Sequence, residues 1–269
     1  MRFVKLLPLL AVLLSFFATT PVAAEESAEE LAKKLSNPIS SLISVPFQLN
    51  YDQDYGATDS GHRLFLNVQP VIPITLNENW NMISRTIIPL VDQNDLFAGA
   101  GSQSGFGDVV QSVFFSPKKP TKSGWIWGVG PVLLLPTGSD MLLTTDKWGA
   151  GPTAVALKQA GPTTFGALVN HIESFAGRDS RSDISATFIQ PFWSRTTPKV
   201  WTYSVNSEMT YDWENEEWSI PVNANVSKLM KWGNQRVQVG GGIRYWADSP
   251  DTGPEGLGFR FQITLLFPK

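Results

Sequence analysis

Apolar and polar residues alternate along most of the chain. In Ile43–Tyr55 the odd positions are apolar or aromatic except for Gln53, and the even positions are mostly polar. The same split recurs in Trp201–Trp213, Trp218–Ser227 and Phe259–Phe267. Successive side chains of a β-strand point to opposite faces, so a period of two predicts strands with one apolar face and one polar face.

Turn-forming residues divide the rest of the chain into similar lengths. Most segments span about 11 to 14 residues, roughly twice the usual soluble strand and long enough for a tilted strand to cross a bilayer. The alternation is weaker in Phe106–Ser116 and Ile184–Trp193, whose faces the sequence leaves unassigned. The twelve predicted strands are 39–55, 62–75, 80–92, 105–116, 124–136, 148–158, 162–174, 182–194, 200–213, 216–229, 235–246 and 257–267.

Two architectures accommodate such strands. A soluble sandwich or lipocalin-like barrel turns the apolar face inward, whereas an outer-membrane barrel turns it toward lipid. Strand length favours the membrane barrel, and so does the clustering of aromatic residues at strand ends, as interface girdles require. These aromatic residues are Tyr51, Tyr55, Trp80, Trp125, Trp127, Trp201, Tyr211, Trp213, Trp218, Tyr245 and Trp246.

The connections alternate as well. Those after even-numbered strands are mostly short or basic, and those after odd-numbered strands are longer or acidic, which is the asymmetry of outer-membrane barrels. Prolines inside the strands break the pattern because each lacks an N–H for the ladder, and we interpret them as β-bulges or lumen-side kinks. They are Pro46, Pro70, Pro73, Pro89, Pro131, Pro191 and Pro221.

The N-terminal region differs from the rest. Residues 1–24 have the basic start, apolar stretch and small-residue end of a secretory signal peptide, an uncleaved membrane anchor being the alternative. Ser27 and Glu30 fit a capping box that begins a helix over Ala28–Leu35. We therefore expect a signal peptide at 1–24, a short periplasmic or plug helix within 25–38, and an all-β, transmembrane, antiparallel up-and-down barrel of about 12 strands over 39–269.

Composition excludes several classes of protein. Only 17% of the 269 residues are charged, below the roughly 25% of soluble proteins. A net charge of −3 offers no basic field for nucleic acid. With no Cys and two His, thiolate chemistry and Cys-based zinc sites are excluded, and we expect neither a metal nor a cofactor.

Several blocks of sequence resemble a Proteobacterial group of predicted outer-membrane "transporter" proteins, which often carry a neuromedin-U label. This group is similar to the family called "MetA-pathway of phenol degradation". The resemblance covers nearly the whole mature chain and implies an outer-membrane β-barrel, without a catalytic motif. Phe267-Pro268-Lys269 departs from the usual ending, in which the aromatic residue is last. The blocks are Leu31–Pro38, Ser44–Tyr51, Gly99–Gly105, Gly107-Asp108, Lys147–Pro152 and Arg244–Asp248.

The polar face carries the candidate functional residues. If the strand faces are as predicted, seven charged side chains point into the lumen, and Arg244, Arg260 and Asp52 share one wall because the last two strands adjoin the first after closure. Facing charges either pair and hold the lumen together or line a constriction that sets selectivity. The seven candidates are Asp52, Asp54, Arg85, Glu208, Asp212, Arg244 and Arg260.

Other motifs are weaker. His171 and Ser174 suggest a barrel hydrolase, but residues three apart on a strand face opposite sides, so they do not meet directly. The glycine-rich stretch Gly99–Gly107 is not followed by a helix, and we expect a flexible external loop that could fold inward. The acidic external loops lack calcium-loop spacing and instead suit solvation or bridging to lipopolysaccharide.

The sequence therefore predicts a passive channel for small molecules, with aromatic or other small organic solutes as candidates, in the outer membrane of a Gram-negative bacterium. A non-conducting structural barrel is the alternative, and an outer-membrane hydrolase is a third class. We expect a small-molecule solute and outer-membrane lipid as partners, and no enzyme activity. The oligomeric state does not follow from the sequence.

Overall fold

A computed structural model describes residues 27–56 and 58–267. The predicted signal peptide and Pro268-Lys269 lie outside the described residues. Across the described ranges, no helix is long and apolar enough to cross a membrane.

The described chain folds into one antiparallel sheet that closes on itself. The last strand pairs with the first, from Ile43 opposite Phe267 to Tyr51 opposite Phe259, and the remaining strands pair in succession around the wall. The strand segments are β1 (Ile43–Tyr55), β2 (Gly61–Val68), β3 (Val71–Thr75), β4 (Trp80–Asn94), β5 (Ser102–Phe106), β6 (Val109–Pro117), β7 (Trp125–Leu135), β8 (Lys147–Ala160), β9 (Thr163–Gly177), β10 (Ser185–Thr196), β11 (Trp201–Ser207), β12 (Met209–Asp212), β13 (Glu217–Trp232), β14 (Gln235–Asp248) and β15 (Gly256–Phe267).

The fifteen segments form twelve wall strands, because three of the wall strands are each interrupted and so count as two segments. The breaks fall at Gln69-Pro70 between β2 and β3, at Gly107-Asp108 between β5 and β6, and at Glu208 between β11 and β12. Both parts of each interrupted strand pair with β4 or β13. The prediction of a barrel of about 12 strands is confirmed.

The two rims of the barrel differ. The start of β1, the end of β15 and the connections after β3, β6, β8, β10 and β13 form one rim, here called the turn rim. The connections after β1, β4, β7, β9, β12 and β14 form the loop rim. In outer-membrane barrels the short turns lie in the periplasm, which predicts that the turn rim is the periplasmic one.

The outer surface is apolar and carries aromatic residues near both rims. Trp125 and Trp201 are exposed near the turn rim, and Trp213, Trp218 and Tyr245 near the loop rim. Along β15, Phe259 and Phe261 are exposed while Arg260 between them is buried. The apolar face of this sheet points outward, which fits lipid rather than a soluble core.

Two aromatic residues predicted in the girdle face inward instead. A register irregularity between Gln53 and Tyr55 reverses the alternation at the end of β1, and Tyr55 is buried. The indole of Trp246 donates a hydrogen bond to Asp52 in the interior. Strand ends are where bulges change the facing of a side chain.

The prolines follow no single rule. Pro70 lies in the break between β2 and β3, and Pro221 adjoins a register shift against β14, as interpreted from the sequence. Pro131 is different because it pairs with Pro152 in a continuous register and both are exposed on the outer face. The interpretation of Pro131 as a bulge or lumen-side kink is therefore wrong.

The glycine-rich stretch is also corrected. Ser102–Phe106 forms β5, which pairs with β4 from Asn94 to Leu90, so most of Gly99–Gly107 belongs to the wall. The segment that folds inward is the connection after β7. Leu143 is buried, and the backbone carbonyl of Leu142 accepts a hydrogen bond from the buried Gln93 amide at 3.4 Å.

The helix α1 (Ala28–Leu35) begins and ends where the sequence predicts. Ser27 and Glu30 form the capping box, with acidic residues in the first turn and lysines in the last, as the helix dipole favours. Leu31 and Ala32 pack with Leu42, Leu229 and Leu266, all near the turn rim. The helix therefore lies within that rim, against the inner wall.

Candidate functional site

The charged wall of the lumen forms where β13, β14, β15 and β1 adjoin. Arg260 lies opposite Asn50 in the β1–β15 pairing, and Arg244 lies opposite Asn223 in the β13–β14 pairing. Directly opposed residues share a face, so the ladder brings these side chains together. Glu208 reaches the same place from the break between β11 and β12.

These groups form one continuous ionic network. The carboxylate of Glu208 contacts two arginines: its Oε2 lies 2.8 Å from Arg244 Nη1 and 2.8 Å from Arg260 Nη2, and its Oε1 lies 3.0 Å from Arg260 Nη1. Arg244 Nε lies 3.0 Å from Asp52 Oδ1. Arg260 Nε donates to Asn50 Oδ1 at 2.7 Å. Bidentate pairing with buried arginines gives the network a fixed geometry.

Trp246 supports the network from the loop rim. The Arg244 guanidinium lies 4.7 Å from the centre of its ring, and the indole N–H donates to Asp52 Oδ1 at 3.1 Å. Asp52 thus receives contacts from both residues and is almost fully buried.

Arg85 also faces the lumen but makes no ion pair with the network. It lies opposite Val71 of β3 and Ser112 of β6, and β4 stands across the ring of strands from the interrupted strand β11/β12. Its Nη2 donates to Gln69 Oε1 at 3.1 Å.

Two predicted site residues do not join these groups. Asp54 has a positive φ of 59° at the irregular end of β1, and its Oδ2 accepts from its neighbour Gln53. Asp212 lies at the end of β12, where its Oδ1 accepts from the backbone N–H groups of Glu214 and Asn215. Its carboxylate therefore stabilises an external turn, as Asp side chains commonly do.

One charged lumen residue was missed from the sequence. Arg63 lies directly opposite Asp52 in the β1–β2 pairing, so both side chains face inward. Its strand was predicted, but its face depends on the hairpin register, which the turn sets. With Arg63, the lumen residues named so far comprise four arginines (63, 85, 244 and 260) and two carboxylates (52 and 208).

The opposite wall is apolar. Ile83, Phe114, Val155, Leu157 and Leu168 are buried inside the barrel and form one cluster. These residues come from the strands between β4 and β9, whose central part has less regular alternation. Phe114 is fully buried while its neighbour Phe115 is exposed to the outside, so the structure assigns the faces that the sequence left open.

The N-terminal segment completes the interior. Ile39 packs into the apolar cluster, and the Gln159 side chain donates to the backbone carbonyl of Lys33 at 3.0 Å. Asn37 Oδ1 accepts from the backbone N–H of Ile39 at 3.0 Å. The segment is thereby attached to the inner wall at the turn rim.

Between these walls the lumen holds a cavity of about 540 Å³. Its floor is formed by Leu35–Pro38 and Ser40 of the N-terminal segment. Three ionisable side chains among the described residues line it: Arg85, Glu208 and Arg260. Its volume lies in the range of small-molecule sites, roughly 300–1,000 Å³.

Two loops at the loop rim are linked to each other and to the wall. The carboxylate of Asp108 accepts from the backbone N–H of Gly138 and from both the N–H and the hydroxyl of Thr145. Arg181 donates to the backbone carbonyls of Met141 and Thr144. Lys147 Nζ lies 2.8 Å from Asp183 Oδ1. These contacts tie the connection after β7 to the connection after β9.

A second polar cluster lies on the outer surface near the loop rim. His171 Nδ1 is 2.9 Å from Thr187 Oγ1, and its Nε2 is 2.9 Å from Glu173 Oε1. The Trp213 indole donates to the same Thr187 hydroxyl. Ser174 points elsewhere and contacts Asp183, so the predicted separation of His171 from Ser174 is confirmed. Among the described residues, no His, Asp and Glu group has the arrangement of a metal site.

Comparison with known proteins places the fold. No protein-family model and no curated protein matches the chain. An outer membrane channel from Pseudomonas putida F1 matches with a TM-score of 0.66 and 12% identity, over 84% of this chain and 96% of that one. Outer membrane phospholipase A from Escherichia coli matches with a TM-score of 0.50 and 9% identity, over 85% and 99%.

The KdgM porin, solved with disordered oligogalacturonate, matches with a TM-score of 0.44 and 13% identity, over 84% of this chain and 99% of that one. The fold is that of an outer-membrane β-barrel. At these identities the similarity extends to architecture alone, because one barrel fold hosts channels and enzymes alike.

Proposed function

We propose that the protein is a passive channel for small organic molecules in the outer membrane of a Gram-negative bacterium, related to the predicted transporters that its sequence blocks resemble. The observation that carries the proposal is the cavity of about 540 Å³ inside the barrel. A structural barrel has no need of such a space, because a barrel interior that serves stability alone is filled by side chains.

The charged wall would set the selectivity of this channel. Glu208 and Arg260 line the cavity, so a solute that crosses the lumen passes their charges, and ion selectivity in barrels comes from such side chains. The same ion pairs also hold β1, β12, β14 and β15 in place. Both roles are compatible, because a paired charge still contributes to the local potential.

The N-terminal segment would act as a movable plug. It forms the floor of the cavity, and its helix packs on the wall through a small set of apolar contacts. Passage to the periplasm therefore requires this segment to shift or a path beside it to open.

Planar-bilayer conductance of the refolded mature chain tests the proposal. We expect discrete channels from residues 25–269 and a larger single-channel conductance, by a factor of about two or more, from a chain that lacks residues 25–38, because removing a lumen plug widens the path. A matched control replaces Leu31 and Leu35 with Ala, which weakens the packing of α1 without shortening the chain. Folded barrels with no conductance in either form would instead favour a non-conducting envelope protein.

One observation favours the hydrolase as a second candidate. Thr187, His171 and Glu173 form a chain of two 2.9 Å hydrogen bonds, the relation of a nucleophile, a base and its orienting acid. However, Thr187 pairs with His171 on one side and Tyr211 on the other, so the surrounding backbone N–H groups belong to ladders and are not available to stabilise an oxyanion. Phospholipid turnover that disappears in His171→Ala would support the hydrolase against the channel.

A further inference from the structure

Arg85 is a lumen cation without a carboxylate partner. Across the described residues, no Asp or Glu oxygen lies within 4.0 Å of its guanidinium, and its hydrogen bond goes to the neutral amide of Gln69. A guanidinium carries five N–H donors, so most of its donor capacity remains. The side chain borders the cavity.

The carboxylate that shares the cavity is already bound. Glu208 uses both of its oxygens on Arg244 and Arg260, whose charges exceed its own. Asp52 contacts Arg244 in the same network. The three ionisable side chains that line the cavity therefore carry a net positive charge, and Arg85 is the one of them that contacts no carboxylate.

Apolar side chains border the same space. Ile87 follows Arg85 on the inner face of β4, Val110 comes from β6 and Ile172 from β9, and Phe188 and Phe192 come from β10. Phe188 and Phe192 also pack against the buried apolar cluster, which fixes their position. A solute at Arg85 would thus meet a rigid apolar surface next to a cation.

We propose that the cavity binds small carboxylates with an apolar or aromatic body, with the carboxylate on Arg85 and the body against Phe188, Phe192 and Ile172. The inference rests on the proposed channel function and narrows its substrate class. Planar carboxylates match the fork of a guanidinium by two parallel hydrogen bonds, and transfer of the ring out of water adds the hydrophobic contribution.

The test measures binding directly, by titration calorimetry on the full mature chain in detergent micelles. Three probes separate the contributions: benzoate has the charge and the ring, benzamide has the ring without the charge, and acetate has the charge without the ring. We expect saturable binding of benzoate that is at least about tenfold tighter than that of either other probe.

Variants then locate the site. Arg85→Gln should weaken benzoate binding by roughly tenfold to a hundredfold, the range for loss of a charge-assisted pair, and should leave benzamide unchanged. Arg85→Lys keeps the charge but not the fork, so its effect should be smaller. Arg195→Gln is the matched control, because Arg195 is exposed on the outer face of β10, and it should bind benzoate like the parent chain. Heat-modifiable gel migration confirms that each variant is folded.

The binding experiments test the inference, and the conductance experiments test the channel, so the two can be contradicted independently. A parent chain that conducts but binds benzamide as well as benzoate, or an Arg85→Gln variant that retains full benzoate affinity, overturns the inference and leaves the channel in place. A chain that binds benzoate through Arg85 without any conductance supports the inference and contradicts the channel. Phe188→Ser should lower the affinity for benzoate several-fold and leave acetate unchanged, and equal losses for both probes would contradict the assigned apolar side.

Discussion

Glu208 is the residue that connects the arginines of the charged wall. It sits at a strand break rather than within a strand, and it links two arginines that come from different strands. Removal of one partner from a buried ion pair leaves the other charge without compensation. The link between Arg244 and Arg260 therefore depends on this one carboxylate, because Asp52 pairs with Arg244 alone.

We predict that Glu208→Gln both destabilises the barrel and changes its selectivity. Loss of the carboxylate should lower the free energy of unfolding by about 2 kcal/mol or more, because Arg244 and Arg260 would then lie together without it. The reversal potential in a salt gradient should shift toward anions. Urea unfolding in lipid vesicles and planar-bilayer recordings measure the two effects.

Asp212→Asn is the matched control for Glu208→Gln. It removes the same charge from an external turn, where the side chain caps backbone N–H groups. The expected loss of stability is below about 1 kcal/mol, with no shift in reversal potential. An equal shift in both variants would mean that net charge, rather than the charged wall, determines selectivity.

At the scale of elements, charged contacts hold the two linked loops at the loop rim. The Lys147 ammonium that contacts Asp183 holds the pKa of that carboxyl below its ordinary value. A carboxyl with a lowered pKa in the folded state stabilises the fold above its unfolded-state pKa, and this contribution disappears as the pH falls through the lower, folded-state value. Asp146 adds contacts to Arg178 and Arg181 in the same loops.

Acidification should therefore loosen the connection after β9. We expect faster amide hydrogen exchange in residues 178–184 as the pH drops below about 4, the ordinary range for Asp, once the intrinsic pH dependence of exchange is removed. Asp183→Asn should show the fast exchange already at neutral pH. Exchange that is unchanged by this substitution would show that the Lys147 contact does not hold the loop.

At the scale of the whole molecule, the outward apolar face fits the barrel to a bilayer. Phe261 lies mid-strand in β15 and is exposed, between the rims that carry the aromatic girdles. Its place on the lipid face follows from the inward direction of its neighbour Arg260. The same face in water would be a large apolar patch, which soluble monomers rarely expose.

Phe261→Arg should lower the free energy of unfolding in lipid vesicles by about 2–4 kcal/mol, the cost of a lipid-facing cation near the bilayer midplane. Tyr245→Arg, near the loop rim, should cost less than about 1 kcal/mol, because a long side chain there reaches water. Urea titrations in vesicles provide both values. Similar costs at the two positions would contradict the proposed depth of the barrel in the membrane.

The sequence by itself determined the class of fold. Strand count and strand length follow from a period of two divided by turn residues, because a strand alternates its side chains wherever it lies. The outward direction of the apolar face was predicted from strand length and from the aromatic residues at strand ends. The capping box likewise located α1, since the hydrogen bonds of a helix end are local. Arg244, Arg260 and Asp52 could be grouped in advance because closure makes the last strands neighbours of the first.

Only the tertiary structure decided what the lumen contains. The register across hairpins placed Arg63 opposite Asp52 and a bulge turned Tyr55 inward, and neither is encoded in the alternation of one strand. Glu208 was predicted to face inward, but its pairing with both Arg244 and Arg260 is visible only in the structure. The position of the N-terminal segment on the inner wall depends on contacts between residues far apart in sequence. Arg85 faced inward in the sequence pattern, but its lack of a carboxylate partner emerged only when the opposite wall was in place.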